Sequence, residues 1–333
     1  MFYSSNLNKH YRRFLIVVGD FYIGPMSKNI VDAILEFNIE TGNRVGFIPS
    51  RRQVEYDGGY VNRWTTKEFS EYVNGRAFIQ RDHGGPHQGN SKDDGLTSFD
   101  VDCEYFDAVH IDPWKAFPDY ESGFRQTVFF INHLYARNKN LLFEVGTEES
   151  IRPFSSSELD RLLFDLHIAL DLKVFANIRY AVVQSGVGLD LGKGVNTGNF
   201  NPDRLSSMID VCRKYGVLSK EHNGDYLSCE ENRIRFDLGL DSINIAPEFG
   251  QLETSCYLDE MSGDIEQFYQ ICYNSKRWEK WVSKDFNPED NKEELIRICG
   301  HYVLSDKEFL KNKPNIDYKI VNAIKTKLVN ICG

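Results

Sequence analysis

Several things are scarce in this chain of 333 residues. No apolar run approaches the ~20 residues that cross a membrane. The one short run near the start, residues 14–19, meets Asp20 at once and lacks a small-residue cleavage pattern, so neither a span nor a signal peptide is expected. The seven cysteines, Cys103, Cys212, Cys229, Cys256, Cys272, Cys299 and Cys332, form no C-x-x-C pair. An odd, scattered set argues against a disulfide framework or a cysteine zinc site and fits reduced thiols in a cytoplasm. Positive charge is in deficit: 39 Lys and Arg face 49 Asp and Glu, a net −10. A phosphate-backbone binder needs a basic face, so nucleic acid is not an expected partner. No G-x-G-x-x-G follows the first apolar run, which argues against a dinucleotide-binding open sheet.

What is present is a globular composition, 41% apolar and 26% charged, arranged with a period. Eight short apolar runs end in Gly, Pro, Asp or His: residues 14–20, 44–50, 77–83, 108–114, 141–148, 180–186, 217–225 and 242–250. Buried parallel strands read this way. Helical patterns separate most of them. Ser155 stands three before Glu158 as a capping box, and "NPDRLSSMIDVCRKYG" opens on Asn-Pro and closes on Gly216. Strand, loop and helix repeated eight times predict a (β/α)8 TIM barrel over residues 1–270. Residues 271–333 read as amphipathic helices, a C-terminal helical extension packed on the barrel or on a second subunit, with Ile320, Val321, Ile324 and Leu328 on one face of the last helix.

A barrel of this kind carries its active site at the C-terminal ends of its strands. There the sequence places Asp82 and His83, His110 and Asp112, Glu144 and Glu148, Gln184 and Ser185, then Lys220, His222 and Asp225. Such groups are costly to bury without partners, and a divalent metal would satisfy them. His83, Glu144 and His222 form a mixed N/O ligand set for zinc or a similar ion; manganese, iron and cobalt also accept one. Asp82, beside the first ligand, is the leading acid/base candidate. Both residues face the site only if the strand ends there, as Gly84 and Gly85 suggest. His87 is a substrate or loop contact, and His110 reads equally as a core residue or a ligand. Arg51, Arg52 and Gln53 open a loop that offers charge to an anionic substrate. The Gly-rich stretch 184–200, with Lys193, reads either as an anion grip or as a flexible lid.

These blocks, "RRQVEYDGGYVNRWTTKEFSEYV", "RDHGGP", "FDAVHIDPW", "EVGTEES", "AVVQSGVGLD", "KEHNGDYLS" and "INIAPEFGQLE", resemble in order those of the GatZ/KbaZ-like family, the so-called non-catalytic subunits of tagatose-bisphosphate aldolase. The resemblance spans roughly residues 15 to 310. It implies a barrel similar to class II aldolases, with Asp82 and His83 matching the Asp-His pair at the zinc and Glu144 and His222 in the blocks of the later ligands. One departure stands out: Gln184 occupies the sixth strand end, where a class II aldolase has a histidine. The expected function is a metal-dependent aldolase or epimerase of a sugar or sugar phosphate, working through an enediolate. Asp82 would move the proton, and Glu148 or Asp225 would be the second acid/base. Arg51, Arg52, Gln53, His87, Gln184, Ser185, Lys193 and Lys220 would hold the substrate. The alternative is a non-catalytic subunit that stabilises a separate aldolase; a metal-free enzyme using Lys220 as a Schiff base is a third reading. A homo-oligomer or a complex with an aldolase catalytic subunit is the expected assembly.

Overall fold

A computed structural model describes residues 21–332. The strand read at residues 14–20, with Asp20, lies outside them. The first described strand, β1 (Phe21–Ile23), follows it directly. Then come α1 (Lys28–Thr41), β2 (Gly46–Phe47), α2 (Thr66–Val73), β3 (Gln80–Gly84), α3 (Leu96–Tyr105), β4 (Ala108–Ile111), α4 (Tyr120–Arg137) and β5 (Leu142–Val145). The chain continues through α5 (Ser156–Ala169), α6 (Leu172–Phe175), β6 (Ile178–Val183), the hairpin β7 (Val187–Asp190) and β8 (Val195–Gly198), and α7 (Pro202–Lys214). Next are β9 (Leu218–Glu221), α8 (Cys229–Asp237), β10 (Ser242–Ile245) and α9 (Pro247–Met261). Four helices end the chain: α10 (Glu266–Ser275), α11 (Lys292–Cys299), α12 (Lys307–Asn312) and α13 (Asp317–Cys332).

Eight parallel strands pair in the order β2-β1-β10-β9-β6-β5-β4-β3. Parallel bridges Phe47–Ile79 and Ser50–Asp82 join the two ends. There the Phe47 N–H donates to the Phe78 carbonyl at 2.8 Å and the Asp82 N–H to that of Pro49 at 3.1 Å. The ring so formed is a TIM barrel, as the strand–helix period predicts.

Outward residues of each strand, such as Ile23, Val109, Phe143, Val183 and Ile243, join the helices in one apolar shell. The punctuation in the sequence explains where those helices begin. Thr65 with Glu68 and Ser155 with Glu158 form reciprocal capping boxes, and Asn201 caps α7 ahead of Pro202. Two barrel helices escape the periodicity. The α3 helix starts after Gly95 with no side-chain cap and buries polar Ser98 and Asp102. The α8 helix is mostly polar, and only its Ser228–Glu231 capping box marks it.

One expectation changes. The Gly-rich stretch after the sixth strand folds as the antiparallel β7–β8 hairpin, with Val187 opposite Gly198 and Asp190 opposite Val195. Its polar backbone groups pair across the ladder. The α13 helix turns Ile320, Ile324, Leu328 and Ile331 inward, while Val321 is only partly buried. That face packs on α1 and α9 of its own chain. Among the described residues no helix is long and apolar enough to cross a membrane.

Candidate metal centre and active site

Alternate residues of a barrel strand face its axis. Here the inward positions are strongly polar. In the lower layer the Lys220 ammonium donates to Gln80 Oε1 at 2.8 Å and lies 2.9 Å from Glu144 Oε2. It also sits over the rings of Tyr22 and Tyr180, 3.9 and 4.1 Å from their centroids. Burial draws Lys220 below its ordinary range, with Glu144 opposing. Burial would raise Glu144, but Lys220 and the histidines above hold its carboxyl well below the usual range.

Above this layer three imidazoles meet. His83 reaches the axis through a local break in β3. The pairing with β4 shifts register between Arg81 and Gly84, and His83 has φ 43°. This left-handed kink turns His83 toward the same centre as Asp82, its neighbour in the chain. Gly84 permits it: a Cβ there would lie 2.4 Å from the Phe99 ring.

Each imidazole has one nitrogen tied down. His83 Nδ1 is 2.6 Å from Asp112 Oδ2, His222 Nε2 is 2.6 Å from Glu144 Oε1, and His110 Nε2 is 3.0 Å from the Gly146 carbonyl oxygen. Those acceptors require an N–H on each of these nitrogens, which leaves a lone pair on the other. The other nitrogens converge. His83 Nε2 and His222 Nδ1 stand 3.4 Å apart, and Asp82 Oδ1 lies 3.8 and 3.9 Å from them. With one donor atom each, Asp82, His83, His110 and His222 all fall within 4.8 Å of one another. Asp82 Oδ1 and His110 Nδ1 are buried with no hydrogen-bond partner among the described residues.

Lone pairs brought together in a buried space repel unless a proton or a cation lies between them. The charges say the same. Burial alone would lower His83, yet Asp82, Asp112 and Glu148 drive it up to about 10. Three imidazole nitrogens and one carboxylate oxygen, each nitrogen oriented from behind, are a fitting donor set for a divalent transition-metal ion.

The structure redistributes the sequence candidates. His83, His222 and Asp82 meet at the convergence. Glu144 does not, because its oxygens are taken by His222 on one side and by Lys220 and Gln80 on the other. His110 stands in its place. Glu148 borders the cluster: its Oε2 is 4.0 Å from His83 Nε2 and accepts from Asn223 at 3.0 Å, while its Oε1 accepts from Ser150 at 2.5 Å. Ser185 is buried beside Glu148 and His222 in the same cleft.

Other candidates are committed elsewhere. Gln184 donates to the Thr147 and Arg152 carbonyls at 2.8 and 2.9 Å and accepts from the Phe154 N–H at 2.7 Å and Arg204 at 3.0 Å. Its amide braces the 147–154 loop. Arg51 grips Asp93 with two N–H groups, at 2.8 and 2.7 Å, and also holds Glu55 and the Gly85 carbonyl. Gln53 accepts from the Ser50 N–H at 2.8 Å, inside its own turn. Asp225 accepts from the Ala246 and Glu248 N–H groups at 3.1 and 2.9 Å, at the start of α9, and burial raises it to about 7. Lys220 is fully buried in its ion pair, and the Lys193 side chain is 78% exposed beside Asp190. His87 is exposed. Its neighbour Gln88 touches the site instead, donating to Asp112 Oδ2 at 3.1 Å, as Thr147 does at 3.1 Å.

No protein-family model matches the sequence, and no curated protein does. Solved structures do share the fold. A probable tagatose 6 phosphate kinase from Sinorhizobium meliloti 1021 superposes with TM-score 0.71 at 14% identity, covering 95% of this chain and 99% of that one. The fructuronate-tagaturonate epimerase UxaE from Cohnella laeviribosi gives 0.56 at 10% identity, over 94% and 78% of the two chains. The YdjI aldolase from Escherichia coli K12 gives 0.54 at 14% identity, over 96% and 89%. At such identities the likeness establishes the barrel.

Proposed function

We propose that this chain is a metal-dependent enzyme of sugar or sugar-phosphate chemistry, related to the GatZ/KbaZ-like family, that cleaves or epimerises its substrate beside a carbonyl group. The observation that carries the reading is the convergence of His83, His110, His222 and Asp82, two of whose buried donor atoms have no partner. The fold is shared with one structure described as an aldolase and one described as an epimerase.

In this reading His83, His110 and His222 hold the ion, with zinc the expected species. Bound there, a divalent cation supplies Lewis-acid polarisation of a carbonyl oxygen. Asp112, Glu144 and the Gly146 carbonyl keep the three rings in the tautomer that presents a lone pair. Asp82 removes the substrate proton. Glu148, fixed by Ser150 and Asn223, returns one from the other side of His83. Gln88 and Thr147 steady Asp112 from two directions.

The competing reading, a stabilising subunit for a separate aldolase, starts from Gln184 standing at a histidine position of class II aldolases. Against it, His110 brings the number of converging imidazoles to three. Metal content decides. The protein purified without chelator, or incubated with zinc or manganese, is expected to carry close to one ion per chain, lost in His83→Ala, His110→Ala and His222→Ala. A parent chain that takes up no ion sinks the reading. A loaded chain then warrants assays of ketose phosphates and sugar acids for cleavage and epimerisation.

A further inference from the structure

Beside the imidazole cluster the barrel mouth holds a second feature of opposite charge. A cavity of roughly 310 Å³ lies between the loops after β2 and β3 and the C-terminal segment 276–302, with Arg52, Arg277, Lys280, Tyr302, Gly89 and Asn90 on its walls. Its one acidic residue, Glu279, faces Lys276 at 3.7 Å. Among the described residues no carboxylate oxygen lies within 4.0 Å of the charged nitrogens of Arg52, Arg277, Lys280 or nearby Lys115.

These cations are held in place. The Arg277 guanidinium lies 5.2 Å from the ring centroids of both Tyr60 and Tyr302, and the Lys280 ammonium 4.3 Å from that of Trp281. Their field shows on their neighbours. Lys280 is exposed at the cavity rim, yet partial loss of solvation, then Arg52, Arg277 and Lys115, push it down to about 8. Burial, then Lys280 and Arg277, push His301 down to about 3. Cations crowded together without a counter-charge are unfavourable until an anion joins them.

Two other places for an anion are closed. A barrel often receives phosphate at a helix N-terminus after its last strands; here the Asp225 carboxylate fills that position on α9. The Gly-rich stretch is a hairpin whose Lys193 projects into solvent beside Asp190. The basic cavity, in contrast, adjoins the reaction centre. Gly89 and Asn90 follow Gln88, which is bonded to the Asp112 that orients His83.

We propose that Arg52, Arg277 and Lys280 form an oxyanion subsite selective for a phosphate dianion over a carboxylate, with two of its three cations supplied by the C-terminal segment. The site stands on its own charges; its use for the remote end of a substrate rests on the function proposed above. A guanidinium that presents paired N–H groups, with a second guanidinium and an ammonium, matches the three oxygens of a phosphate.

The test is isothermal titration of the full-length, metal-free protein with inorganic phosphate, and with acetate, at matched ionic strength. Phosphate is expected to bind and acetate to bind at least tenfold more weakly. Arg277→Gln/Lys280→Gln should lose phosphate affinity at least tenfold, Arg277→Lys less, and His83→Ala should bind as the parent does. Absence of phosphate binding, equal binding by the double variant, acetate as tight as phosphate, or loss in His83→Ala would each overturn the subsite. Metal uptake by the Arg277→Gln/Lys280→Gln variant tests the metal centre separately.

Discussion

Arg81 and His83 lie two residues apart on β3, yet they belong to opposite kinds of polar interior. Arg81 points outward, toward the helices. All five of its N–H groups have acceptors: Asp102 at 2.7 and 2.5 Å, the Pro49 and Val54 carbonyls at 3.0 and 2.7 Å, and the Thr66 hydroxyl at 3.3 Å. His83 and Asp82, facing the axis, share a space in which donor atoms are left unpartnered. A network with no spare capacity can only hold the fold. One with convergent unmet capacity has room for a ligand.

Removal of Arg81 is expected to have the largest effect on stability. Arg81→Met leaves the Asp102 carboxylate buried and uncompensated, with an expected loss of about 3–5 kcal/mol in urea unfolding. Arg81→Met/Asp102→Leu should recover most of it. A loss below about 1 kcal/mol for the single variant would mean that the network is not the closed assembly described. The metal-free His83→Ala variant removes the charge partner of buried Asp112, but that carboxylate keeps its hydrogen bonds from Gln88 and Thr147, so the expected loss is smaller, about 2–3 kcal/mol.

On the open side, Asp82→Asn is expected to lower kcat by roughly 10²–10⁴ once a substrate is found, with metal content retained. Loss of the ion together with activity would make Asp82 a ligand rather than the proton carrier.

Glu253 supplies an intermediate case. It is buried, accepts from Asn29 at 2.8 Å and from Ser27, and burial, with Asp317 adding, raises it to about 7. A raised carboxyl binds its proton more tightly in the folded state. Its cost is therefore absent below its ordinary value near 4.5, grows as the pH climbs toward 7, and is complete above that. Unfolding measured at pH 5 and pH 8 should show a stability decline on the order of 3 kcal/mol from this group, removed by Glu253→Gln. An unchanged slope in the variant would exclude Glu253 as its source. The smallest expected effect is at Asp112. Asp112→Asn, which weakens the support behind His83, should loosen the ion about 10–100-fold in a competitive chelator titration.

Much of this was legible in the chain because barrel strands and helix caps are local features. Apolar runs at a steady spacing, capping boxes and the Asp-His-Gly-Gly break in β3 each follow from a few adjacent residues. The polar strand ends were legible as a set, but their division of labour was not. Gln184, Arg51 and Asp225 have the residue types of a binding site, and the fold uses them on loop backbones, a loop carboxylate and a helix terminus. Lys193 stands exposed beside Asp190 because the Gly-rich stretch forms a hairpin ladder. The signal for α8 was present in Ser228 and Glu231, while α3 carried no comparable signal.

The sequence by itself determined the barrel, since strand and helix periods are set by each residue's neighbours along the chain. It also brought Asp82, His83 and His222 to one end, since in a barrel all strand ends share a rim. Only the tertiary structure decided that His110 replaces Glu144 at the convergence. That choice depends on the register of β3, β4, β5 and β9 around the ring, which sets whether a ring nitrogen meets a carboxylate or an open centre. The meeting of Arg52 with Arg277 and Lys280 is likewise a product of the closed fold, because packing of the C-terminal helices, and no local propensity, brings those distant charges to one cavity.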